Sequence, residues 1–506
     1  MSRRAQRISS ELALFFLVAS AYAAYLLLSG YDRFYHDADA YWRLGKLFNF
    51  FDSGGHFSLN PFNDPAFAQA SHQGYALPLL NHLLGVVASA ANIGSVTIVK
   101  VWGSLLATAL GVIVLPRLAR QLFPAAKIGP GRVLALNGLI FLFWRGHFNF
   151  PLSDFPALLL ACIATIGLMR STPVGYVVAG LGFGLSANIR PEYLPALVAS
   201  IAVAALLPCR PWSWRRRGNA TALVLASALI VSLPQVAMNH HNHGTWSPVS
   251  ASGHQIAMLQ LTDGLLAQKY ETYIGPPSGY PEPGVFYLDP ATSHVLQEEH
   301  VSRISSFRQY ARIVSRHPIE LVASYMRHIF NGLDVRYPTP YIRNLGDAPI
   351  LLSLLQYTLL FAAIARLVLP DARHALGSIR WTGIIVLLSP CLTAIPGAVE
   401  PRFFLPAQIL VYMLVCFGPN VRVALFGGQI GRRVALASCY AAFLLVCLTL
   451  SSATLAQLEH PGPTLGYSES DLTLPHFQAP HRSRSVYPRR KCSRYGDIQT
   501  GYSRIT

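Results

Sequence analysis

Long apolar runs separated by short polar or basic breaks recur along nearly the whole chain. They cover residues 12–28, 96–115, 133–143, 155–168, 222–236 and 434–450, with further runs on either side of Arg190-Pro191-Glu192, ahead of Arg366, and on either side of Glu400-Pro401-Arg402. Several approach the ~20 residues that a helix needs to cross the hydrocarbon of a bilayer. An unpaired backbone is not tolerated in lipid, so these runs predict helices. Residues 1–7 followed by the first run have the outline of a signal peptide, but the run is long and no small-residue cleavage site follows, so it reads as an uncleaved first span.

The basic residues order the spans. Lys and Arg near span ends favour the cytoplasmic side. Arg3, Arg4 and Arg7, then Arg117, Arg120, Lys127 and Arg132, then Arg170, then Arg210, Arg215, Arg216 and Arg217, then Arg366, Arg373 and Arg380, and finally Arg422, Arg432 and Arg433 all fall inside if the amino terminus is inside. About eleven spans satisfy that alternation. The expected fold is an all-α polytopic membrane protein, with residues 1–453 as the membrane domain and 454–506 as a basic, disordered tail without an assigned function. Two outer loops interrupt the spans, at 30–94 and 237–347. The first holds two weaker apolar stretches, 40–51 and 76–90, separated by Gly54, Gly55, Pro61 and Pro65. Their mixed faces predict helices lying in the interface plane, with a further span as the alternative for 76–90.

Composition agrees with a membrane protein. Of 506 residues, 52% are hydrophobic and 12% charged, with a mean hydropathy of +0.37, whereas soluble domains carry about 25% charged residues. The net charge of +17 lies in short loops between spans. It therefore marks membrane orientation rather than a nucleic-acid surface. Cys162, Cys209, Cys391, Cys416, Cys439 and Cys447 lie in or beside apolar runs with no CxxC spacing, and read as packing residues.

The unusual polar residues collect at the outer ends of the spans: Asp37, Asp39, Asp154, Arg190, Glu192, His240, His241, His243, Glu400 and Arg402. Each has a plain reading beside a chemical one. Asp37, Asp39 and Asp154 suit helix starts, where carboxylates are favoured. Arg190 and Arg402 suit snorkelling at an interface, or, beside a proline and a carboxylate, a phosphate clamp. The run Asn239-His240-His241-Asn242-His243 reads as an ordinary polar loop, because no carboxylate or cysteine stands at ligand spacing, and no metal site is assigned.

In this order, these residues resemble the GT-C superfamily of glycosyltransferases, in particular its protein mannosyltransferase-like and lipid A aminoarabinose transferase-like members, over about residues 12–417. Asp37-Ala-Asp39-Ala-Tyr41-Trp42-Arg43-Leu44 is similar to the acidic motif that opens the family's first outer loop, and Tyr75-Ala-Leu-Pro78 to its second interfacial helix. Leu152-Ser-Asp154-Phe-Pro156 resembles an acidic start to a later span, and Gly180-Leu-Gly-Phe-Gly184 through Arg190-Pro191-Glu192 a Gly-rich span ending in Arg-Pro. Asn239 to Gly244 with Thr245-Trp-Ser-Pro248 resembles the opening of the large outer loop. Glu400-Pro-Arg402-Phe-Phe-Leu-Pro406 is similar to the start of a late span, with Phe403 where many relatives have tyrosine.

The resemblance implies transfer of a single sugar from a polyprenyl-phosphate (undecaprenyl-phosphate) donor to an acceptor hydroxyl, usually with inversion, at the periplasmic face of a bacterial inner membrane. The acceptor would be a cell-envelope glycan, a lipid or a protein. It assigns the catalytic carboxylate to Asp37 or Asp39, a base or orienting role to Asp154, and the donor phosphate to Arg402 helped by Arg190. Tyr41, Glu192, His240, His241 and Glu400 would line the substrate site. No cofactor is firmly implied, and a divalent cation is left open. From another class, a polytopic transporter or lipid-linked sugar flippase would use charges within the spans, of which Lys100 is the clearest. A structural subunit of a polysaccharide assembly complex would leave the outer aspartates without a task.

Overall fold

A computed structural model describes residues 3–48, 74–124, 126, 128–206, 214–250, 253–274, 284–347, 349–368, 378–418 and 430–459. The chain divides into two compact units, Met1–Gly466 and Tyr467–Thr506, and every described residue belongs to the first. The expectations for Lys127, Arg210, Arg373, Arg422, Cys209, the Gly and Pro break at 54–65 and the tail beyond 459 lie outside the described residues.

The apolar runs are helices. They form α1 (Arg3–Leu28), α4 (Ser95–Leu122), α5 (Pro130–Trp144), α6 (Asp154–Arg170), α7 (Pro173–Ile189), α8 (Leu194–Leu206), α9 (Trp214–His243), α14 (Ile350–Val368), α15 (Ser378–Ala394), α16 (Leu405–Phe417) and α17 (Ile430–Ala456). Five of them, Ser9–Leu28, Ser95–Leu122, Trp214–His243, Ile350–Val368 and Arg433–Ala456, are long and apolar enough to cross a membrane. The other six have 13 to 17 residues. So, among the described residues, eleven helices stand where eleven spans are expected, and five reach spanning length. Proline shapes several boundaries: Pro130 and Pro173 open their helices at the first turn, and Pro191 and Pro401 open 3-10 turns ahead of the next helix.

The Gly-rich stretch of α7 acts through packing. A Cβ at Gly180 would meet Ser227 Oγ at 2.0 Å and the Val224 carbonyl at 2.2 Å, both on α9. Gly184 meets Val231 and Ala228 of the same helix, while Gly182 meets Ala164 of α6. Small residues spaced by four let helix backbones approach this closely. Gly180→Ala is expected to destabilise the fold by about 1–3 kcal/mol, because the neighbour at 2.2 Å is backbone and cannot swing away. A thermal unfolding midpoint in detergent equal to that of the wild type would show that α7 and α9 do not pack as described.

The expectation of an all-α chain is corrected by a small sheet. Within 237–347 run α10 (Gly253–Leu266), β1 (Ala267–Tyr273), β2 (Gly284–Leu288), α11 (Pro290–Glu298), α12 (Phe307–Arg316), α13 (Pro318–Leu333) and β3 (Tyr341–Ile342). The sheet order is β3-β1-β2-β4, with β4 (Leu458–Glu459) following α17. Strand β1 pairs antiparallel with β2 and parallel with β3, and β2 pairs antiparallel with β4. Alanine, lysine and glutamate dilute the aromatic and β-branched residues of β1, so strand propensity alone is weak there. Pairing with segments distant in the chain makes the strand.

The histidine run is corrected too. Asn239 to His243 are the last residues of the 30-residue helix α9, not a loop. In the first outer segment, α2 (His36–Leu47) and α3 (Ala76–Ala90) are helices as expected, and they touch closely enough that a Cβ at Gly45 would lie 2.6 Å from Asn81 Cβ. The start of α2, the start of α6, the end of α7 and the turn before α16 meet at one place, and their charged residues face one another there.

Candidate active site

Ser153 and Asp154 begin α6, yet no side chain caps that helix, and Asp154 turns instead to Arg190, with which it forms a buried ion pair. The capping reading of Asp154 therefore gives way to a tertiary partner. Arg190 ends α7, where its Nη1 also donates to Ser153 Oγ at 3.2 Å and its Nε lies 3.6 Å from Glu192 Oε2. Arg402 stands on the 3-10 turn Pro401–Phe404. Its Nε lies 2.6 Å from Glu400 Oε2, its Nη2 donates to Glu400 Oε1 at 2.9 Å and to Asp37 Oδ2 at 3.0 Å, and its Nη1 approaches Asp154 Oδ2 at 3.9 Å. The ring of Phe403 lies under both guanidiniums, 5.0 Å from that of Arg190 and 5.7 Å from that of Arg402. An aromatic face without a hydroxyl suffices for that contact.

Neither arginine snorkels. The side chains of Asp154, Arg190, Glu400 and Arg402 are 1%, 6%, 7% and 10% exposed, whereas that of Asp37 is 47% exposed. Asp37 is thus the most open carboxylate of a largely buried acid–arginine cluster, ahead of Glu192 at 37%. Asp39 points elsewhere, pairing with Arg43 one turn along α2 at 2.6 Å.

Two residues with no sequence motif complete the surroundings. Tyr341, on β3, donates its hydroxyl to the Tyr35 carbonyl at 2.9 Å and accepts from the Ala38 amide at 3.1 Å, so it holds the first turn of α2 in the absence of any side-chain cap. His36 beside it has φ +41°, a conformation that costs a non-glycine residue free energy and that occurs here next to Asp37. His147, in the 3-10 turn Arg145–Asn149, is buried, and that burial drives its imidazole down to about 3; Asp154 opposes the shift and Arg402 adds to it. The imidazole is neutral. The sequence signal for His147 is only a polar break, Arg145-Gly-His147, ahead of Pro151.

Glu400 carries the clearest electrostatic consequence. Burial pushes its carboxyl up to about 7, against the pull of Arg402 and with help from Asp37 and Glu271. The folded chain holds this proton more tightly than the unfolded chain, whose carboxyl titrates near 4.5. The contribution to stability is therefore full below pH 4.5 and is lost as pH rises through 7, an effect on the order of 3 kcal/mol. In Glu400→Gln the fall in unfolding midpoint between about pH 4.5 and 8 is expected to be shallower than in the wild type. Equal slopes would show that Glu400 is charged throughout.

A second buried group adjoins the first. Lys269 on β1 lies 3.3 Å from Glu271 and donates to the Asp334 carbonyl at 3.2 Å. The Asp334 carboxylate accepts from Tyr357 at 2.9 Å, Ser451 at 2.8 Å and Arg336 at 3.0 Å. Burial alone would raise the Asp334 carboxyl, but Lys269, Arg336 and Ser451 hold it below its ordinary value. The Tyr270 amide donates to the Val399 carbonyl at 2.9 Å, which ties β1 to the turn carrying Glu400 and Arg402.

The structure thus brings together Asp37, Asp154, Arg190, Glu192, Glu400 and Arg402. Tyr41 is a partly buried residue of α2, its carbonyl accepting from Asn81 of α3 at 3.1 Å. His240 stacks on Trp246 with ring centroids 4.0 Å apart, and His241 is exposed on α9. Asp39, His240 and His241 stand apart from the cluster, with their described contacts elsewhere or at the surface.

Fold and site together define a helical membrane protein with an acid–arginine cluster built from helix ends and one turn. Among solved structures, the chain is similar to the archaeal oligosaccharyltransferase AglB from Archaeoglobus fulgidus in complex with an inhibitory peptide and a dolichol-phosphate, with a TM-score of 0.42 and 13% sequence identity over 89% of this chain and 55% of that one. The chain thus spans about half the length of that protein. No family model and no curated protein matches it.

Proposed function

We propose that the chain is a membrane glycosyltransferase that passes a single sugar from a polyprenyl-phosphate donor to an acceptor hydroxyl, at the periplasmic face of a bacterial inner membrane. The observation that carries this reading is the placement of Asp37, a half-exposed carboxylate 3.0 Å from a buried arginine that is itself ringed by Glu400 and Asp154. Such a site has an accessible proton acceptor beside a fixed positive group.

In the reaction, the acceptor oxygen attacks the anomeric carbon from the face opposite the phosphate. The new glycosidic bond forms as the bond from carbon to phosphate oxygen breaks, the hydroxyl proton passes to Asp37, and polyprenyl phosphate leaves. Positive groups stabilise the charge that gathers on the leaving phosphate. Nη2 of Arg402 donates to both Glu400 and Asp37 and Nε lies 2.6 Å from Glu400, while Nη1, whose contact among the described residues is the 3.9 Å approach to Asp154, is the arm offered to a phosphate oxygen. Arg190 and Asp154 hold that arm in place. Glu192, 37% exposed at the rim, contacts the substrate.

The test supplies the purified protein with radiolabelled undecaprenyl-phosphate sugars and an envelope extract. Label passing to an acceptor from the lipid-linked donor, and not from nucleotide sugars, supports the proposal. No transfer from any lipid-linked sugar would overturn it and favour transport, a reading that rests on Lys100, buried in α4 within electrostatic reach of Asp32.

A further inference from the structure

A cavity of about 570 Å³ opens between α2, α3 and the start of α4, away from the acid–arginine cluster. Lys46 lines it, and Lys46 follows Asp37 by nine residues on α2. At about 100° per residue it faces the opposite side of that helix from Asp37, and at about 1.5 Å per residue it lies about 13 Å further along the axis. The helix itself separates the two sites.

The lining is rich in donors without acceptors. Lys46 makes no ion pair among the described residues. Trp42 is 4% exposed, and its indole N–H finds no acceptor among them. A buried N–H of that kind is uncommon and suits an acceptor supplied from outside the chain. His82 presents an imidazole anchored through Nδ1, 3.3 Å from the Gly45 carbonyl, so the ring is fixed at the wall. Helix α4 starts there at Ser95 with no side-chain cap, so among the described residues its first amides are orphan donors at the positive end of the helix. Val86 and Ile93 add apolar surface to the lining, and Val86 continues with Leu83 and Val87 as one exposed stripe of α3.

We infer that this cavity binds the phosphate headgroup of an anionic membrane lipid, with Lys46, the Trp42 indole N–H and the start of α4 on the phosphate oxygens and the acyl chains along the α3 stripe. A free anion would use the same donors and leave the stripe unused. The lipid satisfies both halves of the site, so it is the occupant.

Native mass spectrometry of the full chain in detergent tests this, with phosphatidylglycerol, diacylglycerol and inorganic phosphate as the three probes. Phosphatidylglycerol is expected to bind, and Lys46→Ala is expected to weaken it by about five- to tenfold, with Lys46→Arg close to wild type. Lys46 is exposed on α2, so its removal leaves packing intact, and an unchanged unfolding midpoint verifies this. His82→Gln, which keeps a donor toward Gly45, serves as a second variant and is expected to weaken binding less. Equal binding of diacylglycerol and phosphatidylglycerol, phosphate that binds as tightly as the lipid, or indifference to Lys46→Ala would each overturn the inference.

Discussion

Asp37→Asn is expected to lower the rate of sugar transfer by about 10²- to 10⁴-fold, the usual worth of a positioned general base. Asparagine keeps the shape of the side chain and an oxygen toward Arg402, so the variant removes the proton acceptor and little else. Asp37 is 47% exposed, and Arg402 keeps Glu400 beside it, so the change is expected to cost the fold far less than removing a fully buried partner would. The variant should accordingly stay folded, with at most a small drop in unfolding midpoint, while transfer collapses, and the loss should fall on kcat rather than KM. Asp39→Asn supplies the contrast: it breaks only an exposed pair with Arg43 one turn away, worth about 0.3–0.5 kcal/mol, and transfer should remain within a few-fold of the wild type. If Asp39→Asn abolished transfer and Asp37→Asn did not, the site would be centred on the wrong carboxylate.

That contrast separates what local sequence reveals from what only the folded chain decides. The two aspartates stand two residues apart in the same motif, so local pattern treats them alike, and both suit the first turn of a helix. What distinguishes them is the direction each side chain takes from α2 and a partner, Arg402, that lies 365 positions along the chain. The helices are legible because apolar length is a local property, although its conversion into eleven spans is not: several runs end at prolines and turns, and only five helices among the described residues reach spanning length. Glycines 180, 182 and 184 are visible as a motif, but their reason, contact with α6 and α9, is tertiary. His147 leaves only a polar break and Tyr341 no trace, since a lone buried histidine and a tyrosine on a two-residue strand match no pattern. The strands escape the sequence on the same ground. Asn239 to His243 mislead because polar residues at the end of a long helix look like the loop that follows it.

The pair of Asp154 and Arg190 carries the other large expected effect, this time on stability. Both side chains are buried to within a few per cent, and each is the nearest opposite charge of the other. Removing one partner of such a pair strands the other in a medium of low dielectric, and Arg190→Ala is expected to cost about 3–5 kcal/mol. Arg402 offers Asp154 only a 3.9 Å approach and is already engaged by Glu400 and Asp37, so it cannot take over. Adding Asp154→Asn to Arg190→Ala removes the stranded charge, and the double variant should regain a substantial part of the loss, giving a coupling of about 1–3 kcal/mol. Arg190→Lys keeps the charge but not the planar fork whose Nη1 reaches Ser153 and Asp154 while its Nε lies 3.6 Å from Glu192, and should fall between the wild type and the alanine variant. Additive losses in the double variant, measured as unfolding midpoints in detergent, would mean the two groups do not act on each other. The cluster could not then hold Arg402 in place through Asp154, and the leaving phosphate would have to be met by another group.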